Sequence, residues 1–196
     1  MTTLVFFLEE PSAQEMLQGF LPRLLPAAVT VRYVPFEGKS DLERQLVRKL
    51  RGWRTPETRF VVLRDKDSAD CKDIKARLVA LCQQAGKPET LVRIACHRIE
   101  SWYLGDLAAV EAGLEVPGLA ERQAKAKYRA PDRLGNAAQE LLRLTGGRYQ
   151  KVGGSRAIGP HLRTDGNRSE SFNAFVSGLL RVLGAPLDQT GTPSRI

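Results

Sequence analysis

Residues 59–67 read Arg59-Phe60-Val61-Val62-Leu63-Arg64-Asp65-Lys66-Asp67, an apolar run of strand length that ends abruptly in two carboxylates. A short run with little polar alternation suits a strand covered on both faces. Three further runs rich in Val, Ile, Leu and Phe, at residues 4–8, 28–34 and 90–96, have the same character. Helical patterns lie between them. Ser12 with Glu15 and Ser40 with Glu43 have capping-box spacing, each ahead of apolar residues at helical intervals. Asp70 or Cys71 opens a third pattern whose apolar face is Ile74, Leu78, Leu81 and Cys82, ending near Gly86. Four strands alternating with three helices predict a mostly parallel four-stranded sheet flanked by helices, because parallel strands need crossover connections.

After Cys96 the strand signal fades and an α-helical C-terminal extension follows. Helices are expected over 100–104, over 107–114 with Asp106 as N-cap, and over 119–128 and 132–144, the last with Pro131 near its start. The glycine-rich stretch 146–160 reads as a loop, and Phe172, Phe175, Val176, Leu179 and Leu180 mark a final amphipathic helix. Pro117-Gly118 is the expected boundary, giving an α/β core over 1–116, a basic α-rich extension over 117–185 and a tail over 186–196.

Composition narrows the function classes. The longest apolar stretches fall well short of the ~20 residues of a membrane span. The N-terminal segment has no basic stretch ahead of Glu9-Glu10, so cytoplasm is the expected location. Three cysteines without a CxxC pair and two histidines argue against a disulfide framework and a zinc site. Charge is uneven. Residues 1–115 carry 17 Lys/Arg against 16 Asp/Glu, whereas 116–196 carry 13 against 6. A basic back half suits a polyanion, with nucleic acid, DNA or RNA, as the expected partner.

Acidic residues at strand ends carry the chemistry. In extended chain Asp65 and Asp67 point the same way, and two like charges held together call for a cation between them. Hard divalent ions, Mg²⁺ or Mn²⁺, take such oxygen ligands. Glu9 directly follows the first apolar run, and Glu100 follows the fourth, in Arg98-Ile99-Glu100-Ser101-Trp102-Tyr103-Leu104-Gly105-Asp106. Ligands of open α/β sheets bind outside the carboxyl ends of the strands, where all three acidic positions fall. Among basic residues, Arg122, Lys125, Arg129 and Arg133 form one stripe if a helix runs continuously, while Lys151 and Arg156 are placed to meet phosphate from a loop.

A strand ending in Glu9 and a later one ending in Asp65-x-Asp67, within an α/β alternation, resembles the TOPRIM domain of topoisomerases, bacterial primases and OLD-type nucleases. The segment Glu100–Asp106 further resembles an uncharacterised bacterial TOPRIM-like branch encoded near ABC- or AAA-type ATPases in phage-defence settings. The resemblance covers residues 1–115; Tyr149-Gln150-Lys151 and Ser169-Glu170-Ser171-Phe172 match it loosely. Many TOPRIM members have Gly after the glutamate, where this chain has Glu10-Pro11. The resemblance implies a TOPRIM-like fold and a Mg²⁺-dependent nuclease, with Glu9, Asp65, Asp67 and Glu100 at the metal, Lys151 assisting, and an ATPase as partner. Tyr33, Tyr103, Tyr128 and Tyr149 lack a topoisomerase context, which favours hydrolysis over strand passage. Alternatives from the same residues are a nucleotidyl- or glycosyl-transferase that uses the DxD, and a non-catalytic module that binds nucleic acid or a protein partner. Gly38-Lys39-Ser40 is not a P-loop, because the glycine that motif needs five residues earlier is Tyr33.

Overall fold

The apolar runs become four parallel strands because each can bury both faces only with helices above and below it. The computed structural model describes residues 2–66 and 70–184. In chain order these are β1 (Thr3–Leu8), α1 (Pro11–Phe20), β2 (Thr30–Pro35), α2 (Lys39–Gly52), β3 (Thr58–Asp65), α3 (Cys71–Gln84) and β4 (Leu91–Ala95). There follow α4 (Glu100–Leu104), α5 (Leu107–Leu114), α6 (Ala137–Leu144), α7 (Lys151–Ile158) and α8 (Glu170–Val182), with short 3₁₀ turns between them. The sheet order is β2-β1-β3-β4, all parallel, so the fold is α/β with a helical C-terminal part.

Alternation along each strand separates two apolar layers. Leu4, Phe6 and Leu8 of β1 and Val61 and Leu63 of β3 join a large cluster with α1 and the helices after β4. Val5, Phe7, Phe60 and Val62 face the other way, against Leu42, Leu46 and Leu50 of α2 and Ile74, Leu78 and Cys82 of α3. Apolar residues after Gly118 thus share one hydrophobic cluster with β1 and α1, and Trp102 and Tyr103 belong to it, fully buried. Among the described residues no helix is long and apolar enough to cross a membrane.

Local signals held where a side chain reaches its own helix. Asp70 caps α3 by accepting from the Lys72 and Asp73 N–H groups, Asp106 caps α5 through Ala109, and Ser169 caps α8 through Phe172. Neither capping box forms. Pro11 starts α1 two residues early, with Glu10 at the N-cap, so Ser12 falls inside the helix and Glu15 pairs with Arg156. Gly38, at φ 99°, is the N-cap of α2, and the Glu43 carboxylate turns to Arg64 and Arg77.

Three helical expectations are corrected. Residues 119–128 form two 3₁₀ turns broken by extended Lys125, and a third turn at Pro131–Arg133 precedes α6, so Arg122, Lys125, Arg129 and Arg133 form no continuous helical stripe. The 132–144 helix begins only at Ala137. The supposed loop 146–160 contains α7, whose two glycines disfavour helix locally, Gly153 facing open space and Gly154 leaving room for the Tyr149 ring, while glycines outside α7 let it pack closely. A Cβ on Gly113 of α5 would stand 2.6 Å from the Ala157 carbonyl oxygen of α7, and one on Gly159, just past α7, would meet the Met16 carbonyl oxygen of α1. The expected tail over 186–196 lies outside the described residues.

These backbone approaches set a stability test. Gly113→Ala should destabilise the chain in urea denaturation by about 1–3 kcal/mol, since a methyl group there meets backbone rather than a movable side chain. Gly52→Ala, with open space at the end of α2, should be neutral or stabilising by up to ~1 kcal/mol. Equal effects at the two positions would exclude close approach as the reason for Gly113.

Candidate active site

From β1 the chain winds outward to β2 on one side, and β3 then lies against the other side of β1. The carboxyl ends of β1 and β3 therefore flank the point where the winding reverses, the crevice in which open α/β sheets bind ligands. Leu8 pairs with Leu63 in register, which brings Glu9 level with the end of β3. The Glu9 N–H donates to the Leu63 carbonyl at 3.2 Å. In return the Asp65 N–H donates to Glu9 Oε2 at 3.0 Å, with Arg64 Nε 3.9 Å from the same oxygen. Two acids 56 residues apart in sequence are thereby joined.

Asp65 lies in alternation with Val61 and Leu63 on the face of the large cluster and is 5% exposed. Its Oδ1 accepts from the Ile99 N–H at 3.1 Å. The turn that delivers this N–H contains His97 in the left-handed region, at φ 60°. Glu100, the first residue of α4, is 1% exposed. Its Oε1 accepts from the Tyr149 hydroxyl at 3.0 Å, and its Oε2 is buried without a hydrogen-bond partner among the described residues. Lys151 is not on a loop but opens α7, where its Nζ donates to Glu10 Oε1 at 2.6 Å.

The remaining expectations fall out unevenly. Glu9, Asp65, Glu100 and Lys151 come together, while Asp67 lies outside the described residues. Arg122, on a 3₁₀ turn, and Lys125 and Arg129, beside the turns, are exposed, and Arg156 is paired with Glu15 at 2.6 Å. Asp106 is a cap that also accepts from the Arg163 N–H at 2.8 Å. Two participants were missed. Glu10 had a signal in its strand-end position, but a charge at a helix N-terminus explained it equally well. Tyr149 had only the loose match of Tyr149-Gln150-Lys151 to the TOPRIM-like branch, which assigned it no role.

Two kinds of buried acid separate by their partners. Glu140 of α6 accepts from Lys127, Tyr128 and Arg143, and this holds its carboxyl down at about 2, the Arg143 hydrogen bond being the main cause. Asp65 goes the other way. Burial first, and then the charges of Glu100, Glu9 and Glu10, push it well above the usual carboxylate range, with Lys151 offsetting only part. Burial draws the Lys151 ammonium down, but its bond to Glu10 and the other acids outweigh this and raise it. An acid so unfavourably housed makes the β1–β3 crevice the candidate site of the chain.

The donor set is all oxygen, which suits a hard divalent cation, and the unpartnered Glu100 Oε2 is an oxygen such an ion would satisfy. Among the described residues, however, no three His, Cys, Asp or Glu side chains form a group that could hold a metal ion as placed.

Burial of Asp65 has a pH signature. The folded carboxyl keeps its proton where the unfolded one, near 3.9, has released it. The destabilisation is absent below about pH 4 and grows as pH rises toward the folded value. Asp65→Asn, which keeps the acceptor for Ile99, should therefore melt higher than the parent at pH 8, by ~2–4 °C for each kcal/mol relieved. The gain should shrink toward pH 4. A variant that melts below the parent at pH 8 would show that Asp65 is held by favourable charge partners instead.

No curated protein and no solved structure matches the chain. A family model does match, over residues 8–180, a span that runs from the last residue of β1 into α8 and so includes Glu9, Asp65, Glu100, Tyr149 and Lys151. The chain belongs to the family described as a domain of unknown function, DUF4276.

Proposed function

We propose that the protein is a divalent-cation-dependent hydrolase of phosphodiester bonds in nucleic acid. The observation that carries this reading is the pair Asp65 and Glu100, buried at the β1–β3 crevice with one donor each among the described residues, in contrast to Glu140 of α6, which has three. Asp65 and Glu100, with Glu9 and, through the TOPRIM resemblance, Asp67, would hold Mg²⁺ or Mn²⁺. Such an ion polarises a phosphoryl oxygen and lowers the pKa of an attacking water. Glu9, bonded to the Asp65 N–H, ties the end of β1 to that of β3 and keeps their acids in fixed relation. Lys151 sets a fixed positive charge beside the acids, where a phosphate oxygen would gain a charge-assisted hydrogen bond. The excess positive charge of residues 116–196, with Arg122, Lys125 and Arg129 exposed, supports a polyanionic substrate. An ABC- or AAA-type ATPase partner and a phage-defence setting follow from the resemblance alone.

A second reading is favoured by one observation, that no ready three-ligand group exists among the described residues. In it Lys151 neutralises the acids and the protein binds nucleic acid without cleaving it.

Purified parent should degrade DNA or RNA only with added Mg²⁺ or Mn²⁺, and Asp65→Asn and Glu100→Gln should each lower the rate at least ~100-fold, about 2.7 kcal/mol of barrier. Salt-sensitive binding of DNA by a parent that cleaves neither polymer would establish the second reading and end the first.

A further inference from the structure

We infer that Cys71 and Cys96 form a reversible dithiol pair, which a low-molecular-weight disulfide such as oxidised glutathione converts to an intramolecular disulfide. The crossover from β3 through α3 to β4 starts its helix at the carboxyl end of the sheet. Cys71 is the first residue of α3, and Cys96 directly follows β4. The ends of β3 and β4 are bonded there, the Lys66 N–H donating to the Ala95 carbonyl at 2.9 Å. Two cysteines well separated in sequence thus come to line one cavity of about 410 Å³.

Their surroundings set this pair apart from the third cysteine. Cys82 is 1% exposed in the apolar layer between α3 and the sheet, where burial pushes its thiol up to about 11. Cys71 and Cys96 are free and half-buried, and they belong to neither apolar layer. They share the cavity wall with Lys75, Asp132 and Ser171. Ser171 Oγ holds the backbone of Cys96 by accepting from its N–H at 3.3 Å. The two thiols are near enough for a charge on Cys71 to act on Cys96. Burial, then the charges of Asp132 and Cys71, push the Cys96 thiol up, and Lys66 offsets part of this. The thiolate is the nucleophile, so the first attack falls to Cys71 and the second to Cys96.

In the first step the Cys71 thiolate attacks one sulfur of the glutathione disulfide, whose S–S bond breaks to release one glutathione thiolate. Cys96 then loses its proton to solvent, attacks the Cys71 sulfur and expels the second glutathione. Two protein thiols are oxidised, and one disulfide is reduced to two thiols. The new bond would tie the start of α3 to the turn that delivers the Ile99 N–H to Asp65.

The full chain is incubated with oxidised glutathione, alkylated, and weighed intact and after digestion. The parent should lose the mass of two hydrogens, yield a cross-linked Cys71–Cys96 peptide, leave Cys82 alkylated, and return to its reduced mass with dithiothreitol. Cys96→Ser should instead accumulate a glutathione adduct on Cys71. A parent in which Cys71, Cys82 and Cys96 all remain alkylated overturns the inference. So does a parent that holds glutathione on Cys71 or Cys96 without the cross-link, or a Cys96→Ser chain that takes up no glutathione.

Discussion

The rest of the structure depends on keeping the carboxyl groups of Asp65 and Glu100 out of water at the end of a parallel sheet. Burial disfavours the charged form of Asp65, and neighbouring Glu100, Glu9 and Glu10 add repulsion instead of relief. A protein selected only for stability would surround such acids with donors, as this one does around Glu140. Here the compensation is sparse. Among the described residues Asp65 has one backbone N–H, Glu100 has one tyrosine hydroxyl, and the ammonium of Lys151 sits on Glu10.

That arrangement gives the C-terminal helices a definite role. They cover one face of the sheet, completing the apolar cluster that α1 begins, and they also bring Tyr149 and Lys151 to acids carried by the first hundred residues. Backbone-close packing of α7 against α1 and α5 is what holds those two side chains in place, and it requires glycine at Gly113 and Gly159. Stability and site geometry are thus coupled through the same helix. The opposite face of the sheet, under α2 and α3, contributes Arg64, whose pairing with Glu43 holds a cation close behind Glu9.

Much of this was legible in the sequence, for a physical reason. Strands that bury both faces must be continuously apolar, so residues 4–8 and 59–63 declared themselves, and their alternation with helices dictated a parallel sheet. Asp70 and Asp106 could be read as caps because a cap acts within a few residues of itself. Strand-end acids were legible because parallel strands deliver their carboxyl ends to one edge, and Glu9 and Asp65 do meet there.

Tertiary structure alone decided the rest. The glycines of α7 argue against a helix when only neighbours are weighed, and packing against α1 and α5 overrides them. Ser12 and Ser40 had the spacing of capping boxes, yet Pro11 and Gly38 set the helix starts, and Glu15 and Glu43 found arginines far away in the chain. The bonds from Tyr149 to Glu100 and from Lys151 to Glu10 span 49 and 141 residues. Sequence determines which residues prefer to be apolar, capped or charged, since those preferences act over a few bonds. Which charges are stranded together out of water is fixed only when distant segments close over the same crevice, because that depends on the dielectric and the partners the whole fold supplies.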